Sequence, residues 1–156
     1  MNEDEGYLRL ALEQARLAAE AGEVPVGSIV VYAGEIVGVG RNAVLATLDP
    51  TAHAEIVAMR AAAQRLQNYR LTGCELYTTL EPCSMCAGAM IHTRISRLIY
   101  GAADPKAGAA GSVVEVVNHP QLNHQMKITS GVLSEQCGEL LRAFFRERRQ
   151  SPSPDL

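Results

Sequence analysis

The sequence has no long apolar run, no basic start and no large excess of charge. No stretch approaches the ~18–20 apolar residues of a membrane-spanning helix, so we expect no membrane partner. Hydrophobic residues make up 47% and charged residues 20% of the 156 residues. This composition excludes a disordered, collagen-like or coiled-coil chain. The first five residues hold three acids and no base, unlike a secretory signal peptide, and we therefore expect a cytoplasmic protein.

Internal repeats and linkers are also absent from the sequence. We expect residues 1–150 to form a single domain, because this length can bury one substantial core. Residues 151–156, which are rich in Ser and Pro, are expected to form a flexible tail. The net charge of −3 carries no information about nucleic acid, but residues 142–149 contain four arginines against one glutamate.

The spacing of apolar residues predicts alternating helices and strands. The predicted helices are 7–21, 53–66, 83–92 and 133–149, and the predicted strands are 24–32, 35–40, 75–79, 95–100 and 127–130. The first two strands should form an antiparallel hairpin, and the later strands, joined by helical crossovers, should pair in parallel. Residues 41–52 and 101–112 are expected to be irregular, and 113–117 suit either a strand or a short helix. The pattern indicates an α/β fold with a mixed sheet.

Two short motifs at the starts of predicted helices carry the chemistry. One is His53-x-Glu55, and the other is Cys83-x-x-Cys86, preceded by a proline. Residues three apart share one helical face, and the positive end of a helix favours thiolates. Imidazole and thiolates together suit zinc, and three protein ligands leave a fourth position open, as in catalytic zinc sites.

Glu55 lies two residues after His53, and it suits the role of acid and base better than that of a ligand. Zinc lowers the pKa of a bound water to roughly 7, and a carboxylate beside the metal can take the water's proton and pass it to a leaving group. The alternative is that Glu55 is only a favourable charge at the start of a helix.

The cysteine motif also has other interpretations. Cys-x-x-Cys alone is compatible with a redox pair, and a structural zinc site could recruit Cys74 or Cys137 as its fourth ligand. We expect Cys74 and Cys137 to be core thiols instead. The combination of His-x-Glu with Pro-Cys-x-x-Cys is more specific than either motif alone.

These combined motifs resemble the signature of the zinc-dependent nucleoside and nucleobase deaminases. The resemblance is greatest to the bacterial tRNA adenosine deaminases of that superfamily and covers nearly the whole chain. It is carried by residues 23–27, 49–56, 80–92, 101–112, 118–124 and 144–149. It implies a three-layer α/β/α deaminase fold with a mixed five-stranded sheet flanked by helices, a homodimer, and one zinc ion per subunit.

The resemblance also implies a reaction and a set of site residues. The reaction would be hydrolytic deamination of the wobble adenosine to inosine in a tRNA anticodon stem-loop, as in an arginine tRNA with an ACG anticodon. His53, Cys83 and Cys86 would bind zinc, and Glu55 would move the protons. The substrate contacts would be Val26, Asn42, Ala54, Asp104, Lys106, Phe145 and Arg149.

The zinc motif by itself does not select the base. Arginines interleaved with Phe144 and Phe145 suit RNA, because guanidinium groups bind phosphate and rings stack on bases. The same residues also suit an ordinary helix end that packs on a sheet, and residues 104–108 have the composition of a plain turn. Two other functions stay open: a deaminase of a free nucleobase or nucleoside (guanine, cytosine or cytidine), and a zinc-stabilised RNA-binding module without catalysis.

Overall fold

A computed structural model describes residues 2–150, and the predicted tail 151–156 lies outside the described residues. The elements are α1 (Glu3–Glu20), β1 (Gly27–Tyr32), β2 (Glu35–Arg41), α2 (Val44–Thr47), α3 (Ala54–Leu66), β3 (Cys74–Leu80), α4 (Ser84–Thr93), β4 (Arg97–Ala102), β5 (Lys127–Thr129) and α5 (Ser134–Gln150). None of the helices within residues 2–150 is both long and apolar enough to cross a membrane.

The five strands form one mixed sheet in the order β2-β1-β3-β4-β5. β1 pairs antiparallel with both β2 and β3, whereas β4 pairs in parallel with β3 and β5. The predicted hairpin and the predicted parallel pairing of the later strands are confirmed. Leu80 at the end of β3 pairs with Ala102 at the end of β4. The two segments that follow these strands therefore begin side by side, at the carboxyl-terminal ends of β3 and β4.

Helices cover both faces of the sheet and divide the core into two clusters. Along β3, Leu76 belongs to the cluster beneath α3 and α4, and its neighbour Tyr77 belongs to the cluster beneath α1 and α5. This alternation follows from the two-residue period of a strand, which sends successive side chains to opposite faces. The three-layer α/β/α fold with a mixed five-stranded sheet is thus confirmed.

Two glycines of β2 allow α3 to lie unusually close to the sheet. A Cβ atom on Gly38 would lie 2.3 Å from the backbone oxygen of Ala58, and one on Gly40 would lie 2.4 Å from the backbone oxygen of Ala54. Any side chain at these positions would push α3 away. The close approach holds the amino-terminal end of α3, where His53 and Glu55 lie, near the end of β2.

The structure differs from the predicted elements in four places. α1 begins at Glu3 instead of residue 7, because the Asn2 side chain accepts a hydrogen bond from the Glu5 N–H and caps the helix. Residues 24–26 precede β1, and the segment expected to be irregular contains α2. Residues 113–117 form neither a strand nor a helix, apart from one isolated bridge between Ala110 and Glu115. The other boundaries agree within two residues.

Candidate active site

The residues of the two motifs meet where α3 and α4 begin. His53 is the N-cap residue of α3, and Cys83 is the N-cap residue of α4, with Cys86 in the first turn of that helix. The His53 Nδ1 atom lies 3.6 Å from the Cys83 Sγ atom and 3.5 Å from the Cys86 Sγ atom. The three candidate ligand atoms all lie within 4.8 Å of one another.

This cluster has the chemistry and the spacing of a zinc site. A tetrahedral zinc ion with ordinary bond lengths implies N···S separations of about 3.6 Å between its ligands, which matches both observed distances. Within residues 2–150, no other histidine, cysteine or carboxylate joins the cluster. Cys74 and Cys137 are buried in the two core clusters on opposite faces of the sheet. The donor set therefore fits zinc with three protein ligands.

The environment of Cys83 stabilises a thiolate. A hydrogen bond from Cys86, and then one from His53, lower the pKa of the Cys83 thiol to about 3 against the opposing effect of burial. The Cys86 thiol, which donates to Cys83 and is itself buried, has a raised pKa. The Cys83 thiolate is therefore a negatively charged ligand that a divalent cation would neutralise.

Glu55 lies in the first turn of α3, with only 4% of its surface exposed. Burial raises the pKa of this carboxyl group to about 7. A carboxyl group with a pKa near the working pH can both accept and donate a proton, which is the requirement for an acid–base catalyst. Glu55 lines the same pocket as His53 and Cys83.

The pocket has a volume of about 560 Å³, which is within the range of small-molecule sites. Of the predicted substrate contacts, the structure places Val26, Asn42, Asp104 and Phe145 in its lining. Lys106 and Arg149 line an adjoining groove of about 680 Å³ that also includes Asp104 and Phe145. Ala54 lines neither space and is fully buried.

Asn42 has a defined orientation in the pocket. Its Oδ1 atom accepts a hydrogen bond of 2.8 Å from the backbone N–H of Ala54, the first residue of α3. The carboxamide oxygen is thereby used to satisfy the start of the helix. The Nδ2 group is then the part of Asn42 that can donate to a ligand.

The pocket also contains functional candidates that the sequence motifs did not reveal. The Glu23 carboxylate accepts hydrogen bonds from the backbone N–H groups of Leu45 and Ala46 and so holds α2 at the pocket wall. Arg148 donates a hydrogen bond of 2.6 Å to the backbone oxygen of Gly22. These contacts join segments that are far apart in the sequence, so no local sequence pattern could predict them.

A third such residue is Glu81, which is 1% exposed and lies directly before Pro82. Burial opposes ionisation of Glu81, but hydrogen bonds from Ser112 and from three backbone N–H groups hold its pKa below the usual value. The only feature of the sequence that could have indicated a role for Glu81 is its position directly before the Pro-Cys-x-x-Cys motif. His119 and His124 lie outside the zinc cluster: the His119 Nδ1 atom accepts from the Gln121 N–H, and the His124 Nε2 atom pairs with the Ile95 backbone oxygen.

Comparisons with known proteins agree with this geometry. The family profile of the cytidine and deoxycytidylate deaminase zinc-binding region matches residues 1–102. The chain is 50% identical over 148 residues to the tRNA-specific adenosine deaminase of Haemophilus influenzae, covering 94% of this chain and 86% of the relative.

Two solved structures bear on the substrate. One, from a study of A-to-I editing by tRNA:A34 deaminases at the wobble position, is 43% identical and superimposes with a TM-score of 0.85, covering 87% of this chain and 99% of that chain. The other, guanine deaminase from Bacillus subtilis, is 32% identical with a TM-score of 0.63 and covers 98% of both chains. By its fold, its donor set and the match over its first 102 residues, the chain belongs to the cytidine and deoxycytidylate deaminase family of zinc-binding proteins.

Proposed function

We propose that this protein hydrolyses the 6-amino group of the wobble adenosine, A34, of a tRNA and leaves inosine. The observation that carries the proposal is that one pocket is lined by Glu55, by two of the candidate zinc ligands, His53 and Cys83, and by α5 residues that include the exposed Phe145. The adjoining groove adds the basic side chains of Lys106 and Arg149. A ring and cations beside a base-sized pocket suit a single-stranded RNA loop. The tRNA-specific relative at 50% identity supports the same substrate.

We assign zinc binding to His53, Cys83 and Cys86, one ion per subunit. A bound zinc ion acts as a Lewis acid and makes water nucleophilic near neutral pH. The two helix starts contribute by holding the three ligand atoms at spacings that change little on binding, since those spacings already match tetrahedral coordination.

Glu55 moves the protons of the reaction in this proposal. Its carboxylate takes a proton from the attacking water and delivers it to N1 of the adenine ring as the C6–O bond forms. It then takes the proton of the hydroxyl group now on C6 and transfers it to the amino group, so that the C6–N bond breaks, the C6=O bond forms and ammonia leaves. Atoms balance as adenosine plus water giving inosine plus ammonia, and a carboxyl pKa of about 7 suits both proton transfers.

The other predicted substrate contacts fall into two groups, those that would touch the target base and those that would touch the RNA beside it. We propose that the Nδ2 group of Asn42 donates to the base and that Val26 packs on its face. Ala54 contributes by holding the Asn42 carboxamide through its backbone N–H. Asp104 and Phe145, which line both spaces, would contact the nucleotides beside A34, and the cations of Lys106 and Arg149 would contact phosphates.

Several finer assignments belong to the same proposal. The RNA partner would be the anticodon stem-loop of an arginine tRNA with an ACG anticodon, whose wobble base is the required adenosine. Residues 1–150 would act as one domain, and the protein would work as a homodimer in the cytoplasm. A dimer would cover exposed apolar side chains such as Leu48, which is 90% exposed.

A second candidate function is deamination of a free purine, which the 32% identical guanine deaminase favours. One assay separates the two. Zinc-loaded protein is incubated with an ACG anticodon stem-loop and, separately, with adenosine, guanine, cytosine and cytidine, and inosine and ammonia are measured. We expect inosine only at the wobble position of the RNA. Turnover of guanine without RNA editing would replace the proposal, and tight RNA binding without ammonia from any substrate would indicate a binding module.

A further inference from the structure

The Glu81 carboxylate is buried beside the pocket, yet no step of the proposed reaction uses it. It lies between β3 and the cysteine motif, two residues before Cys83. Its Oε1 atom accepts hydrogen bonds from the Asp104 N–H at 3.0 Å and from the Ser112 hydroxyl. Its Oε2 atom accepts from the Ala110 N–H at 2.9 Å and from the Ser112 N–H at 3.2 Å.

All four donors come from one segment, residues 104–112, which we name the pocket loop. The packing is as close as the hydrogen bonding, since a Cβ atom on Gly108 would lie 2.4 Å from the Glu81 Cδ atom. The backbone continues the connection on both sides. The Glu81 N–H donates to the Ala102 oxygen and the Ala109 N–H donates to the Pro82 oxygen, both at 2.8 Å.

The two segments joined in this way have different tasks. Residues 81–83 present Cys83 to the zinc cluster, and the pocket loop presents Asp104 and Ala107 to the substrate pocket. The loop contains no strand or helix of its own beyond one isolated bridge. Lys106 and Ala107 donate their N–H groups to the Asp104 side chain within the loop, whereas Asp104, Ala110 and Ser112 donate theirs to Glu81, which ties both ends of the loop to the segment before Cys83.

We propose that Glu81 is a positioning residue, which sets the pocket loop against the metal-ligand segment and thereby determines how the RNA beside the target base docks. This role rests on the proposed function for its substrate. It requires a group with two acceptor oxygens at a buried place, since each oxygen receives two donors.

The variant Glu81→Gln tests this requirement with almost no change of volume. Glutamine has one acceptor oxygen and one NH₂ group. The Ser112 hydroxyl can rotate and accept from the NH₂ group, so the better orientation places Nε2 where Oε1 was. The Asp104 N–H then faces another donor and loses its partner. We expect the released end of the loop to be at Asp104, which lines both the pocket and the adjoining groove.

The experiment compares Glu81→Gln with wild type and with Glu75→Gln. Glu75 lies on β3, the strand that directly precedes Glu81, pairs with Arg97 and is absent from the pocket lining. For Glu81→Gln we expect about a tenfold rise in KM for the ACG stem-loop, with kcat changed less than about threefold. Zinc content should stay at the wild-type value, and hydrogen exchange of the Asp104 amide should become faster. Glu75→Gln should show none of these changes.

Unchanged KM and unchanged Asp104 exchange in Glu81→Gln would overturn the inference. Loss of zinc together with a fall in kcat would also overturn it, because Glu81 would then act on the metal segment. If wild-type protein edits no RNA, the proposed function fails, while zinc content and amide exchange still decide whether Glu81 positions the loop.

Ser112→Ala provides a second variant if Glu81→Gln does not fold. It removes one donor and leaves the buried carboxylate with three backbone partners. We expect about a threefold rise in KM and faster exchange in the pocket loop at unchanged zinc content. Wild-type values for both would contradict the inference.

Discussion

Cys83 and His53 occupy equivalent places, each at the N-cap of a helix that begins at the pocket. Neither uses its side chain to cap the helix, so both side chains are available to the zinc cluster. The partial positive charge of the helix starts stabilises thiolates and a nearby carboxylate. The chemistry of the site therefore depends on a few single residues whose backbone positions are set by two helices.

Replacing Cys83 by alanine removes one of three candidate ligands. We expect Cys83→Ala to lower zinc affinity by more than about 100-fold, since even residues that only support a ligand cost 10–100-fold, and to lose activity in parallel. Cys74→Ala is the matched control, because Cys74 is a buried core thiol outside the cluster. Metal analysis of the purified variants measures the effect. Equal zinc content in both would remove Cys83 from the ligand set.

Glu55→Gln separates proton transfer from metal binding. The variant should keep its zinc and its fold, because Glu55 is not one of the three clustered ligand residues. Turnover should fall by about 10²–10⁴-fold, the usual contribution of a general acid–base group. Single-turnover formation of inosine measures it, with Glu13→Gln on the exposed face of α1 as the control. A near-normal rate would exclude Glu55 from the proton transfers.

At the scale of elements, α5 carries a buried and an exposed phenylalanine side by side, and we propose that the exposed one contacts RNA. Phe144 is 9% exposed, whereas Phe145 is 44% exposed, and the two rings meet edge to face at 5.4 Å. Arg148 lies over the Phe144 ring and binds the Gly22 backbone oxygen. Phe144 and Arg148 therefore have packing partners within the fold, whereas RNA contact by Phe145 stays a prediction.

The different exposure of the two rings predicts that one alanine variant loses RNA binding and the other loses stability. Phe145→Ala should weaken binding of the anticodon stem-loop by about tenfold, the scale of one lost base stack, with little change in the free energy of unfolding. Phe144→Ala should lower the free energy of unfolding by about 3 kcal/mol, because it leaves a cavity. Fluorescence titration with labelled RNA and urea unfolding measure the two effects. Equal loss of stability in both variants would contradict the assignment of Phe145 to the RNA surface.

At the scale of the whole molecule, Arg97 connects the amino-terminal helix to three strands. It pairs with Asp4 of α1 at 2.6 Å and with Glu75 of β3 at 3.1 Å, and it also donates to Thr129 of β5. Tyr77 adds a hydrogen bond to Asp4. This network fixes α1 on the face of the sheet opposite α3 and α4.

Because of this network, the free energy of unfolding should fall at acid pH as Asp4 becomes protonated. A hydrogen bond from Arg97 lowers the pKa of Asp4, against burial and with help from Tyr77. Because the folded pKa lies below the unfolded value, the unfolded state binds more protons, and stability falls as the pH decreases through the folded pKa. Asp4→Asn should be less stable than wild type by about 1 kcal/mol at pH 7, and the difference should shrink below about pH 4.

Urea unfolding at several pH values measures this difference, with Glu3→Gln as the control on the same helix turn. A difference between wild type and Asp4→Asn that stays constant from pH 7 to pH 3 would show that the Asp4 charge does not stabilise the fold.

The sequence by itself determined the three zinc-ligand candidates and the α/β class, and it singled out Glu55 for the proposed acid–base role. His53, Glu55, Cys83 and Cys86 lie two or three residues apart within their motifs, and both motifs open helices, so local spacing places each pair correctly. The order of strands and helices followed in the same way from periodicity, which is also a local property.

Only the tertiary structure decided the rest of the pocket. The partners of Glu23 and Glu81 lie more than twenty residues away in the sequence, so their burial could not be inferred from composition or period. The choice between Phe144 and Phe145 likewise depended on where α5 docks. Hydrogen bonds and packing between distant segments leave no local pattern, and they set the walls of this site.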